Sequence, residues 1–96
     1  REKERTEQRR SVDPVADELY RSGRKEMAGR TLEGIDRAIE FFGEAVERDP
    51  KFALAFSSLA DAHILRAGGQ SKSPEYRKAE QYAVRALALD PDLAQA

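Results

Sequence analysis

Few residues of this chain have the types and the spacing that catalysis requires. The single histidine, His63, falls on the apolar side of a predicted helix. Asp61, two residues earlier, projects from a different side of that helix, so it is poorly placed to orient the imidazole as a general base. We therefore predict that His63 is a packing residue that makes one hydrogen bond.

The carboxylates do not form a predicted acid–base pair either. Such a pair needs two groups whose surroundings move their pKa values apart. The acidic residues of the second predicted helix are expected on solvated faces or beside a cap, and they are Glu40, Glu44, Glu47 and Asp49. We predict no catalytic residues and no enzyme activity within this chain.

The segment Gly29–Gly34 has the glycine spacing of a phosphate-binding loop. That loop follows a strand and continues with a lysine and a serine or threonine, which contact the phosphates and the magnesium ion. Ile35 and Asp36 occupy those two positions, and no strand is predicted before them. We interpret the match as chance and expect no cofactor.

The composition argues against several other classes of protein. Seventeen basic residues nearly balance eighteen acidic ones, and only a modest basic surface is expected from Arg21, Arg24, Lys25 and Arg30, so we predict no nucleic-acid binding. Cysteine is absent and the acids are scattered, which predicts no metal site. No apolar run approaches the ~20 residues of a membrane span. We expect a cytoplasmic protein with no membrane contact.

Capping residues indicate two helices in the first half of the chain. Asp13, followed by proline, is typical of a helix N-cap, and the helix is predicted to end near Gly29. Thr31 is the predicted cap of the second helix. This helix should stop at Asp49, because Pro50 disfavours helical geometry in the residue before it.

The second half of the chain repeats these signals. A third helix is predicted from Phe52 to Ala67, and Gly68 is expected to end it. Ser73, again followed by proline, caps a fourth helix that runs to Pro91. Apolar residues recur at helical spacing throughout, and no segment alternates as a strand does. The predicted fold class is all-α.

The first helix carries a glycine within its apolar side. Val15, Leu19 and Met27 are predicted to share that side, with Gly23 between them. Since glycine has no side chain, we expect a neighbouring helix to approach closely there.

The chain also repeats itself 41 positions later. Ala38 corresponds to Ala79, and the same offset joins further residues of the second and fourth helices and the prolines after them. A repeat of this length is typical of stacked units, each of which cannot bury its apolar face alone. The other matching pairs are Phe41 and Tyr82, Ala45 and Ala86, Val46 and Leu87, Asp49 and Asp90, Pro50 and Pro91, and Phe52 and Leu93.

This pattern resembles the tetratricopeptide repeat, a helix pair with large and small apolar residues at set positions and a proline after it. Two insertions depart from the pattern, around 28–33 and 68–76. The residues at the repeat positions are Leu19, Gly23, Ala38, Phe42, Ala45 and Pro50 in the first copy, and Phe56, Leu59, Ala60, His63, Ala79, Ala83, Ala86 and Pro91 in the second.

The resemblance implies antiparallel helix pairs stacked as a right-handed α-solenoid, with two repeats and the start of a third. The expected divisions are a charged helical extension or linker at 1–12, helix pairs at 13–50 and 51–91, and the third repeat from 92 to 96. The stretches 18–24, 38–42 and 52–62 look like repeats of bacterial signalling proteins, such as nucleotide cyclases, winged-helix regulators and Ser/Thr kinases. We expect an excerpt of such a protein.

The resemblance also implies a function. In this family the first helices of the pairs line a concave groove that binds an extended peptide or a partner's helix. Carried over position by position, the groove consists of a first row, Asp17, Tyr20, Arg24 and Met27, and a second row, Leu54, Ser57, Asp61 and Ile64. The expected function is a non-catalytic protein–protein interaction module.

Self-association is the alternative. Two repeats and a stub are marginal for an array. The fourth helix is expected to leave an alanine-rich flank of Ala79, Ala83 and Ala86 for a further repeat to cover. In isolation this C-terminal edge would pair with a second copy as a homo-oligomer or by helix swapping.

Overall fold

The computed structural model describes residues 12–68 and 72–95. Within these residues the chain forms four α-helices and no strand, which confirms the all-α prediction. They are α1 (Pro14–Ala28), α2 (Leu32–Arg48), α3 (Ala53–Ala67) and α4 (Pro74–Leu89), and a short 3-10 helix follows at Pro91–Gln95. The predicted charged extension lies outside the described residues, apart from its last residue.

The helices begin where their capping residues predict. One Asp13 carboxylate oxygen accepts hydrogen bonds from the backbone amides of the first turn of α1, at 2.8 and 3.1 Å. Thr31 Oγ1 accepts from the amide of Gly34 at 2.9 Å, and Ser73 Oγ accepts from that of Glu75 at 3.1 Å. Each cap satisfies amides that have no partner within the helix.

The helix ends also follow the sequence signals. Gly68 ends α3 in the left-handed conformation, with a φ of 62°. Asp49 and Asp90, the residues before the two repeated prolines, have φ, ψ angles of −136°, 91° and −145°, 92°. The backbone therefore repeats at the ends of α2 and α4 as the sequence does.

Consecutive helices pack against one another, and α1 also contacts α3. Two groups of buried residues join the first three helices. Small and large residues are mixed within them, which allows the helices to approach closely. The first group is Ile35, Ala38, Phe42, Leu59 and Ala62, and the second is Ala16, Ala45, Phe52 and Ala55.

The close contact expected at Gly23 is present. Gly23 is buried, and a Cβ atom placed on it would lie 2.6 Å from Cε1 of Phe42 on α2. The predicted apolar side of α1 is partly wrong, however, because Val15 is 42% exposed while Ala16 is fully buried. The packed face of α1 is rotated toward Ala16 and Tyr20, which contact α2 and the start of α3.

The alanine-rich flank expected on α4 is also wrong. Ala79 and Ala86 are 2% exposed, and Ala83 is half-buried. The only helical neighbours of α4 in the described chain are α3 and the 3-10 helix, so the alanines serve packing within the helix pair. The large apolar residues that α4 exposes are Val84 and Leu87.

Candidate functional site

The N-terminal end of α1 is fixed beside the start of α3. The backbone amide of Asp13 donates to Asp49 Oδ2 at 3.2 Å, and Arg48 Nε donates to Asp13 Oδ1 at 3.0 Å. Further along α1, the rings of Tyr20 and Phe52 have centroids 5.1 Å apart. The first and second rows therefore lie on two neighbouring helices that start at the same end of the molecule.

The first row differs from the expectation in two of its members. The ring of Tyr20 packs between Phe42 and Phe52, with centroids 5.8 and 5.1 Å away, and Met27 packs against the core. Both side chains are therefore partly committed to the fold. The reason is steric: bulky side chains fill the space between α1, α2 and α3 that small residues leave open.

The charged members of the first row, the half-buried Asp17 and the exposed Arg24, are both locally paired. Asp17 accepts a hydrogen bond from Arg21 Nε at 2.8 Å, one helical turn later. Arg24 donates through Nη1 to Tyr20 Oη at 3.1 Å, and its guanidinium lies 5.9 Å from the centre of the Tyr20 ring. These contacts hold both residues along the surface of α1.

The second row presents apolar side chains around a carboxylate. Leu54 is 46% exposed and Ile64 is 43% exposed, although both are large apolar residues. Ser57 is half-buried and Asp61 is exposed. Leu54 lies seven positions before Asp61, and Ile64 lies three positions after it. Residues at these spacings share a helix face, so Leu54 and Ile64 lie on the same side of α3 as Asp61.

Arg24 of the first row and Asp61 of the second row interact electrostatically. Burial raises the pKa of Asp61, and the positive charge of Arg24 partly opposes this effect. Asp61 makes no hydrogen bond or ion pair with any other described residue. Arg24 and Asp61 therefore interact through their charges but share no hydrogen bond or ion pair.

His63 is a packing residue with one hydrogen bond, as predicted. It is 5% exposed, and its ring stacks on Tyr82 with centroids 5.5 Å apart. Nδ1 donates to Glu75 Oε2 at 2.5 Å. Asp61 does not orient the ring, so that expectation also holds.

The sequence alone predicts no acidic partner for His63. Glu75 lies in the first turn of α4, after the connection from α3. No helical spacing relates it to His63, so only the tertiary structure brings them together. The contact joins the start of α4 to the second half of α3, beside the stacked rings of His63 and Tyr82.

The pair belongs to a chain of polar contacts across three helices. Arg66 on α3 donates to Asp36 on α2, and its Nε lies 4.0 Å from Glu75 Oε1. Hydrogen bonding from His63 lowers the pKa of Glu75, while partial burial raises it and nearby positive charges add to the lowering. The net effect keeps Glu75 ionised into mildly acidic solution.

A pH-dependent loss of stability is expected from this arrangement. The pKa of Glu75 is lower in the folded chain, so its stabilisation is present above the unfolded pKa and disappears as the pH falls through the folded one. Glu75→Gln should lower the free energy of unfolding by about 1 kcal/mol near pH 7.

In acid, the difference between Glu75→Gln and the parent should vanish. Urea unfolding followed by circular dichroism at several pH values measures it. The exposed Glu80→Gln on the same helix is the matched control and should change little. A deficit in Glu75→Gln that persists unchanged in acid would contradict the assignment.

No group of three or more acidic or histidine residues within 12–68 and 72–95 is arranged to hold a metal ion. Among the same residues, no helix has the length and apolarity needed to cross a membrane. No protein-family model, curated protein or solved structure matches this chain.

Proposed function

We propose that this chain is a non-catalytic interaction module that binds a peptide or helix of another protein along the two rows on α1 and α3. The observation that carries the proposal is the pair of exposed apolar residues, Leu54 and Ile64, on either side of Asp61. Exposed apolar side chains beside polar groups are typical of a contact surface.

The packing order of the helices is compatible with this use. Helices α1 and α3 are neighbours, and α2 packs against both of them. The buried residues of α3 occupy other positions than Leu54, Asp61 and Ile64, so a ligand can contact these three without loss of core packing. The proposal includes a tetratricopeptide-like stacking of the helix pairs, within a larger bacterial signalling or regulatory protein.

Leu54 and Ile64 can contribute to the free energy of binding because both are partly exposed. Full burial of one leucine or isoleucine is worth about 1.5–3 kcal/mol. Leu54 and Ile64 retain close to half of their exposure, so a ligand that covers both can gain part of that amount twice. The half-buried Ser57 between them offers a hydroxyl to a peptide backbone.

The proposal is tested with short peptides selected from a random library against the folded chain. Amide shifts in NMR titrations should change along the two rows, and Ile64→Gln should weaken binding severalfold. Leu32→Gln, an exposed apolar residue at the start of α2, is the control and should leave binding intact. Failure to select any peptide, or shifts confined to α4, would overturn the proposal.

Self-association is a second candidate, favoured by the exposure of Val84 at 66% and Leu87 at 41% on α4. Leu87 corresponds to Val46, which packs against both buried groups of the first three helices. A second copy that covered this edge would bury it in the same way. Sedimentation should then detect a dimer that Leu87→Lys disrupts and Leu32→Lys does not, whereas a strict monomer at high concentration excludes it.

A further inference from the structure

Asp61 is the charged residue of the two rows that lacks a direct partner. Asp17 pairs with Arg21, while Arg24 donates to the neutral Tyr20 hydroxyl. Asp61 has neither a hydrogen bond nor an ion pair within the described residues. The residue is exposed, so a ligand can reach its carboxylate.

Arg24 is held against Tyr20 and is not paired directly with Asp61. Its guanidinium donates to Tyr20 Oη and lies over the Tyr20 ring, which is itself fixed between Phe42 and Phe52. Its charge acts on Asp61 without a hydrogen bond. The carboxylate on α3 therefore remains open to a positive group that comes from outside the chain.

The surroundings of Asp61 indicate what kind of group that is. Leu54 lies about two turns before Asp61 and Ile64 about one turn after it on the same face of α3, and both are accessible. Lysine and arginine side chains lay their aliphatic stems on apolar surface and keep the charged end at an acceptor. A small inorganic cation would use the carboxylate and leave both apolar side chains in water.

We propose that Asp61 binds the lysine or arginine side chain of an extended peptide whose neighbouring apolar residues pack on Leu54 and Ile64. This inference rests on the proposed peptide-binding function and specifies its ligand. The basic side chain supplies the direct hydrogen-bonded partner that Asp61 lacks, and the apolar residues fix the register of the peptide. A peptide with glutamate at that position would meet repulsion from Asp61.

The test compares peptides selected from one random library by the parent chain and by three variants. The parent should enrich lysine or arginine flanked by apolar residues. Asp61→Asn, which keeps the size and removes the charge, should lose the basic preference and bind the parent's peptides about tenfold more weakly. Asp61→Lys should select acidic peptides instead. Glu44→Gln, the same charge change on the exposed side of α2, should behave as the parent.

The possible outcomes distinguish a failure of the proposed role of Asp61 from a failure of the proposed peptide-binding function. Peptides that bind through Leu54 and Ile64 but show no basic preference would overturn the role of Asp61 and leave the groove intact. A preference for lysine or arginine in the selected peptides that persists in Asp61→Asn would also overturn the role of Asp61. If no peptide is selected by a chain with a native circular dichroism spectrum, both proposals fail together.

Discussion

Replacing Phe42 with alanine is expected to lower the free energy of unfolding by about 3–5 kcal/mol. Its side chain is 0% exposed and lies between the backbone of Gly23 and the ring of Tyr20 on α1, in one buried group with Leu59 of α3. The small residues around it cannot close the cavity. Because small domains are stable by only about 5–15 kcal/mol, much of the fold would be lost at moderate temperature.

Urea or thermal unfolding followed by circular dichroism measures this loss for Phe42→Ala. Phe41→Ala is a matched control on the adjacent position of α2, where the same side chain is only half-buried. We expect the control to lose clearly less stability. Equal losses at the two positions would contradict the placement of Phe42 at the centre of the core.

Two glycines of α2 should respond in opposite directions to the same substitution. A Cβ atom on Gly34 would lie 2.6 Å from the backbone oxygen of Glu26 and 2.9 Å from Thr31 Oγ1. Neither atom belongs to a long flexible side chain, so α1 would have to shift. Gly34→Ala should therefore destabilise the fold by about 1–3 kcal/mol.

Gly43→Ala is the counterpart of Gly34→Ala on the same helix. A Cβ atom on Gly43 has nothing within 4 Å, so alanine adds no clash there. Alanine is also the better helix former, and a gain of about 0.5–1 kcal/mol is expected. Unfolding midpoints of the two variants and the parent test the pair. A Gly34→Ala variant as stable as Gly43→Ala would show that α1 and α2 are not in such close contact.

The helix boundaries could be predicted because their causes are local. Asp13, Thr31 and Ser73 act on amides two or three residues away, and Pro50 restricts the residue before it. Such effects are fixed by the neighbouring sequence. The same reasoning placed His63 in the interior, because helical spacing sets the side of α3 on which it lies.

Packing partners could not be predicted in the same way. Glu75 reaches His63 only because α4 folds back along α3, and no spacing rule relates two residues across that connection. The alanines of α4 were assigned to the wrong surface for a similar reason. Helical period shows that Ala79 and Ala86 share a side, but not that this side faces α3.

The residues of the two rows differ in how much their neighbours cover them. In the second row Leu54, Asp61 and Ile64 are exposed, while Ser57 is half-buried. In the first row, Tyr20 and Met27 contribute to the core. Helical position fixes the direction of a side chain, while its size decides how much of it the neighbouring helices cover.

The two outer helices each depend on one main neighbour. Within 12–68 and 72–95, helix α1 packs mainly on α2, and α4 packs mainly on α3. In a chain stabilised by nearest-neighbour contacts, an outer helix can open while the helices beyond its neighbour stay packed. Transient opening of α4 would break the contact between His63 and Glu75, whereas opening of α1 would break the close approach of Gly23 and Phe42.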